Sequence, residues 1–473
     1  MTSPSLQGIR RAPRALLVAG VVALLLAIGV FGYWGVWLPL HSSGYDFTGP
    51  YEAAYALAHH APLQAYDVAM QREFNRQTLH LPDGPSDFRW TPPTAALLIP
   101  LGLLPYATAR VIWWALSLAA LLASLWLLAR CMTVVAAKAG RVIPTWAASL
   151  VLFGAAAVAQ PVTDSLRLGQ STTILLLGLA LVAYGEVERR PVVAGVGLAI
   201  AILDKFFPGI LLIYFLWRGK YRLCLSALAI IALLVVVTLP LTGVAMYSAF
   251  VEALRTYSNQ PNAGPVNLSL YHALIVAPAA LLQLFQPGQG EPTSGLLPLV
   301  ALLACLALFG ITLLAMGAPD FLRRVWPALA SRWPKFARTP VEPLFATSWA
   351  ICALLIVEPI VWVFYYLLLL VALAWLLTLS VRAGSGRMRW RLLVVGLVGY
   401  FIATLVFPLD PRTAVPMSAA YVLGICVRPV GLALVWLVHA GYRFSGSRRY
   451  GYSPVAASIE TNVSGTMTPR STS

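Results

Sequence analysis

Three short islands in the sequence hold residues whose types and spacing suit chemistry at a membrane surface. Asp46 is the first acid after the first long apolar run, in Gly44-Tyr45-Asp46-Phe47. A carboxylate close to a bilayer boundary can take the proton of a hydroxyl presented there. By position alone, an Asp in that place more commonly caps a helix, here one that starts near Pro50. Lys205 stands in Asp204-Lys205-Phe206-Phe207-Pro208, between two short apolar segments. An ionisable group at a break in an apolar run marks a functional place. Lys205 there can contact a phosphate, or simply balance Asp204. Arg167-Leu168-Gly169-Gln170 joins a cation, a turn residue and an amide that both donates and accepts. It reads as a substrate contact or as an ordinary loop-to-helix junction.

Further residues qualify on weaker grounds. Arg89-Trp90-Thr91-Pro92-Pro93 ends a polar stretch, and its proline pair starts the next helix. Arg89 suits a phosphate, or snorkels to the interface. Asn267 sits in Asn267-Leu268-Ser269-Leu270-Tyr271, and Glu358 precedes Pro359-Ile360-Val361-Trp362. Arg428-Pro429 interrupts the last apolar run. Either this Arg faces the interior of a bundle, or the span ends there. His59 and His60 are adjacent, so they point to different faces of a helix and make a poor metal pair. The five cysteines are scattered, with no Cys-x-x-Cys pair, so neither a disulfide framework nor a zinc site is signalled. No Walker loop, GxGxxG, HExxH or GxSxG context occurs. No cofactor is expected, and the sequence does not set a metal requirement.

The elements that position these residues follow from composition. The chain has 473 residues, 59% of them apolar and 11% charged, with a mean hydropathy of +0.79. Soluble proteins are about 45–50% apolar and about 25% charged. A water-soluble globule, a disordered chain and a fibrous repeat are excluded. Unbroken apolar runs without two-residue alternation exclude a β-barrel. At roughly 20 residues per span, about ten to twelve transmembrane helices fit, and a break within 191–217 makes it about twelve. The expected fold is an all-α polytopic membrane bundle, with short helices in its first outer loop.

The run from Ala15 to Leu40 follows Arg10, Arg11 and Arg14. It exceeds a signal-peptide core of about 7–15 residues, and is expected to be an uncleaved first span. Polar outer loops are expected at 41–91, with helices near 50–60 and 66–79, and at 243–292, with an embedded helix at 268–285. Spans are expected near 94–130, 144–160, 169–185, 223–242, 293–317, 343–357, 361–380, 391–408 and 413–440. The stretch 191–217 reads either as one long span, which puts Arg218, Lys220 and Arg222 outside, or as a broken pair, 191–203 and 207–217. Gly195-x-Gly197 reads as a small-residue packing face. Residues 1–440 form the membrane domain, and 441–473 a disordered cytoplasmic tail rich in Ser, Thr and Gly.

Net charge is +16. With the break at Lys205, most of the 33 Lys and Arg fall on the cytoplasmic side and most of the 17 acids do not. This is the positive-inside asymmetry. It places both termini inside and both polar loops outside. The charge is therefore assigned to topology, not to nucleic acid. An outward-facing enzyme, a transporter built on the broken pair and a non-catalytic scaffold all remain open on these residues alone.

The ordered islands resemble glycosyltransferase family 87, of the C-type (GT-C) membrane glycosyltransferases. The opening island is Tyr45-Asp46-Phe47 through Tyr51-Glu52-Ala53-Ala54 to Tyr66. Next come Phe88-Arg89-Trp90-Thr91-Pro92-Pro93 with Pro100, Pro105 and Trp113, then Leu168-Gly169-Gln170. Asp204-Lys205-Phe206-Phe207-Pro208 and Asn267-Leu268-Ser269-Leu270 complete the set. The resemblance implies a GT-C-like bundle in the cytoplasmic membrane. It implies transfer of mannose or another hexose or pentose from a polyprenyl-phosphate donor to a glycolipid or glycan acceptor at the outer face. It makes Asp46 the general base, with Lys205, Arg167, Arg89, Gln170 and Asn267 as substrate contacts. The family's Pro-x-x-Trp is followed by x-His, whereas here Trp362 is followed by Val363-Phe364-Tyr365. The donor phosphate is then expected to rest on Lys205, Arg167 or Tyr365.

Overall fold

The computed structural model describes residues 14–81, 90–258, 267–283, 296–317, 326, 341–381, 387–405 and 417–446. Among these, all regular structure is helical. The first helix, α1 (Arg14–Phe31), continues through a π-helical turn (Gly32–Trp37) and Leu38–His41. The first loop then folds into α2 (Thr48–Ala58), a 3₁₀ turn (Pro62–Tyr66) and α3 (Val68–Gln77). The Asp67 carboxylate caps α3, accepting from the amides of Ala69 and Met70 at 2.9 and 3.1 Å.

The proline pair begins α4 (Pro92–Leu97), and a short turn (Ile99–Gly102) leads to the long α5 (Tyr106–Lys138). Next come α6 (Thr145–Ala157) and α7 (Gln160–Leu168), bent 73° from each other. A hairpin of α8 (Thr172–Val187) and α9 (Pro191–Asp204) follows. Its two backbones touch: a Cβ added to Gly197 would lie 2.4 Å from the Gly178 carbonyl oxygen. The expected small-residue face is thus present.

The helix breaks at Lys205, whose backbone is extended (φ −137, ψ 129). After a 3₁₀ turn (Phe207–Gly209) it resumes as α10 (Ile210–Trp217). The next helix, α11 (Tyr221–Ser258), kinks at Gly243 (φ 66, ψ 161). Residues 244–258 were expected to be polar loop, but they are helical. Met246 and Phe250 from this part are buried, with Met246 packed among Ala53 and Trp90 of the first loop and Ala95 of α4.

Beyond it lie α12 (Leu270–Gln283), α13 (Leu296–Ala315), α14 (Pro343–Val357) and α15 (Leu369–Val381), the last preceded by a 3₁₀ turn (Val363–Leu368). Then come α16 (Arg387–Thr404) and α17 (Ala419–Gly446). Pro429 does not end α17, which resolves the two readings of Arg428 in favour of a buried position inside a helix.

Among the described residues, six helices are long and apolar enough to cross a membrane, or seven if the bent α6–α7 pair is one span. These suit a polytopic membrane protein. The count by length falls short of twelve because α8, α9, α10, α12 and α14 are shorter apolar helices. Most of the expected tail, from 447 onward, lies outside the described residues.

Candidate active site

The site is assembled from three turns. The first follows the α1 segment. Gly44 takes the left-handed conformation (φ 62) and leads into a 3₁₀ turn, Tyr45–Phe47, that carries Asp46. Asp46 does not cap α2: the capping position is Phe47, with no side-chain bond. The last turn before Gly44 leaves orphan carbonyls, and Arg110 of α5 collects them. Its guanidinium donates to the carbonyls of Pro39 and Leu40, each at 2.9 Å, and to that of Ser42. Tyr106 Oη donates to the Ser43 carbonyl at 2.6 Å.

The second turn ends α7. Gly169 is left-handed (φ 76), which a glycine adopts without strain. Its carbonyl accepts from Trp113 Nε1 at 2.7 Å. Phe47 stacks on Trp113 with ring centroids 5.3 Å apart. A Cβ on Gly169 would fall 2.7 Å from Phe47 Cβ. The absence of a side chain thus lets the two turns meet, and Gln170 Nε2 donates to Asp46 Oδ2 at 2.7 Å.

The third turn is the break at Lys205, and Trp90 ties it to the rest. Trp90 Nε1 faces Ser171 Oγ at 3.0 Å and Asp204 Oδ1 at 3.3 Å. The Lys205 ammonium lies 3.7 Å from the centroid of the Trp90 ring, a cation–π contact. The Trp90 carbonyl accepts from Tyr66 Oη at 2.6 Å. Thr91 and Thr94 donate to the Leu203 carbonyl at 3.0 and 2.7 Å, satisfying the end of α9.

Electrostatics distinguish Asp46. Burial pushes its carboxyl above the usual carboxylate range. The Gln170 hydrogen bond, then Lys205 and Arg167, oppose that rise, while Asp164 adds to it. The residue still keeps partial solvent access. Arg167 pairs with Asp164 at 3.3 Å. In α2, Glu52 is only 5% exposed, and burial pushes it up to about 8.

Of the expected residues, the structure brings Asp46, Gln170, Lys205 and Arg167 together. Asn267 has a different setting. It is fully buried, its Nδ2 donates to the Pro359 carbonyl at 2.9 Å, and its Oδ1 accepts from the amides of Ser269 and Val361. It joins two chain segments. Tyr365 packs against Phe207 beside the break, centroids 5.2 Å apart. Arg89 lies outside the described residues.

Trp90, Arg110 and Asp164 were not singled out from sequence. Trp90 carried a signal, as the lone aromatic between Arg89 and the proline pair; Arg110 reaches carbonyls far away in the chain, and Asp164 pairs with Gln160 and Arg167 of its own short helix. Among the described residues, no cluster of three or more His, Cys, Asp or Glu is placed to hold a metal ion.

Comparison with known proteins gives one result. The family model for glycosyltransferase family 87 matches residues 88–332. No curated protein and no solved structure matches.

Proposed function

The chain belongs to glycosyltransferase family 87, and from that premise we propose that it moves a sugar from a polyprenyl-phosphate donor to a glycolipid or glycan acceptor at the outer face of the cytoplasmic membrane. In this reading about twelve segments traverse or enter the bilayer, both termini are cytoplasmic, and the loop bearing Asp46 faces outward. Membrane lipids surround the bundle, and nucleic acid has no part.

The observation that carries the reading is the setting of Asp46. One carboxylate, made more basic by burial, sits within the electrostatic reach of two cations, Lys205 and Arg167. Asp46 takes the proton of an acceptor hydroxyl. The freed oxygen pair attacks C1 of the sugar from the face opposite the leaving group. The bond from C1 to the phosphate oxygen breaks, and its electron pair leaves on the polyprenyl phosphate, so configuration inverts. Lys205 and Arg167 hold the negative charge of that leaving phosphate. General-base assistance of this kind is worth about 10²–10⁴-fold.

The donor class suits a site without a nucleotide-binding motif, because a lipid-linked sugar arrives through the bilayer. Trp90 fixes Lys205 beside the break, so the cation is presented without a flexible search.

The broken pair α9–α10 also fits a lipid or glycolipid transporter. Purified protein in proteoliposomes, supplied with radiolabelled polyprenyl-phosphate sugars and membrane glycolipids, separates the readings. Label appearing covalently on an acceptor supports transfer. Movement of labelled lipid across the bilayer without transfer supports transport and overturns the proposal.

A further inference from the structure

Arg428 is 4% exposed, in the middle of α17 and outside the family-matched residues 88–332. A buried guanidinium is strongly disfavoured unless its donors are used. Nη1 donates to the Ala403 carbonyl at 2.5 Å and Nη2 to the Leu405 carbonyl at 3.3 Å. Nη2 also donates to Gln160 Oε1.

Gln160 uses its other end as well: Nε2 donates to Asp164 Oδ2 at 3.0 Å. Asp164 Oδ1 in turn accepts from Arg167 Nη2 at 3.3 Å. Residues 160, 164 and 167 share one face of α7. They form a hydrogen-bonded line from the last long helix toward Asp46.

The line matters because α7 is short. It has nine residues, hangs between a 73° bend and the left-handed Gly169, and ends next to Gln170. A helix of that length does not hold its own direction by propensity. Its buried Val162 and Leu166 hold it to the core, and the polar face is fixed by side-chain anchors. The Arg428 guanidinium grips Gln160 in the first turn of α7, while the last turn aims Gln170 at Asp46.

We propose that Arg428 is a positioning residue of the active site: through Gln160 it fixes α7, and with it the Gln170–Asp46 hydrogen bond. The kinetic consequence rests on Asp46 as the base; the structural one does not.

Both consequences are read in the full chain in nanodiscs. Arg428→Met, Gln160→Leu and the double variant are compared with wild type by hydrogen–deuterium exchange over residues 163–170. Faster exchange in each single variant, with no further increase in the double and none in α9, is the expected result. Arg428→Lys keeps the charge but not the fork, and gives an intermediate value. On the kinetic side, loosening Gln170 and Arg167 removes two influences that hold the Asp46 carboxyl down. The acid limb of the pH profile then moves to higher pH, and turnover falls by up to about 100-fold.

Unchanged exchange over 163–170, or additive effects of the two variants, overturns the proposal. Changed exchange with an unmoved acid limb upholds the role of Arg428 and overturns Asp46 as the base. If Arg428→Met fails to fold, Gln160→Leu alone decides, because it leaves the two carbonyl partners of Arg428 in place.

Discussion

Gln170 Nε2 donates to Asp46 Oδ2 at 2.7 Å, joining two turns that lie 124 residues apart in the chain. The bond does two things. It orients the carboxylate, and it stabilises the ionised form against the burial that raises its pKa. Gln170→Leu should therefore raise the Asp46 pKa further. A base with a higher pKa is protonated up to a higher pH, so the acid limb of kcat/KM should move upward, with turnover at neutral pH reduced about 10- to 100-fold. A pH–rate profile of the variant beside wild type checks both.

Trp90 offers a ring face to Lys205 and an indole N–H to Ser171 and Asp204. Two substitutions separate these roles. Trp90→Phe keeps a ring and loses the donor; Trp90→Leu loses both. A cation–π contact is worth about 0.5–2 kcal/mol, or about 2- to 30-fold in affinity. Trp90→Leu should weaken polyprenyl-phosphate binding by that factor more than Trp90→Phe does. Titration of the two purified variants with polyprenyl phosphate measures the difference.

Glu52 gives a stability prediction with a definite sign. Its folded pKa, about 8, lies above its ordinary value of 4.5. Between those values the native state holds a proton that the unfolded state has lost. Stability contributed by this group is complete below pH 4.5 and is lost as pH rises through about 8. Glu52→Gln stays neutral throughout. The melting temperature of the variant should match wild type near pH 4.5 and exceed it by at least about 2 °C at pH 8. Thermal unfolding in detergent across that range tests it.

Gly169→Ala and Gly154→Ala form a matched pair. At Gly169 a side chain meets Phe47 Cβ at 2.7 Å and the backbone is left-handed (φ 76), whereas at Gly154 nothing lies within 4 Å. The first should cost about 1–2 kcal/mol from backbone conformation alone and separate the two turns. The second should be neutral or slightly stabilising. Thermal unfolding and transfer activity of both variants report the contrast.

Local chemistry made part of this legible in the sequence. Pro92-Pro93 starts a helix, Gly169 stops one, and Pro208 follows the break at Lys205, because these residues restrict their own backbone. Asp46 and Lys205 stood out because a charge beside an apolar run needs a reason. The long-range pairings left no local trace. Arg110 reads as one more basic residue in an apolar helix until it is seen on the carbonyls of Pro39 and Leu40. Gln160 looks like an ordinary polar residue of a short amphipathic turn until it is seen accepting from Arg428. Asn267 entered as a substrate contact through the resemblance of Asn267-Leu268-Ser269-Leu270, and its oxygen accepts from two backbone amides, a pairing with Val361 that the sequence does not show. Residues 244–258 look polar enough for a loop, yet the buried Met246 and Phe250 make them a helix on the first loop.

The central claim is that Asp46 accepts the acceptor's proton. Asp46→Asn keeps the size of the side chain and its capacity to accept from Gln170, and removes the base. In proteoliposomes with a radiolabelled polyprenyl-phosphate sugar, the variant should fold and bind polyprenyl phosphate as wild type does. Its transfer rate should fall by about 10²–10⁴-fold. A folded, donor-binding Asp46→Asn protein that transfers sugar at near wild-type rate would contradict the account.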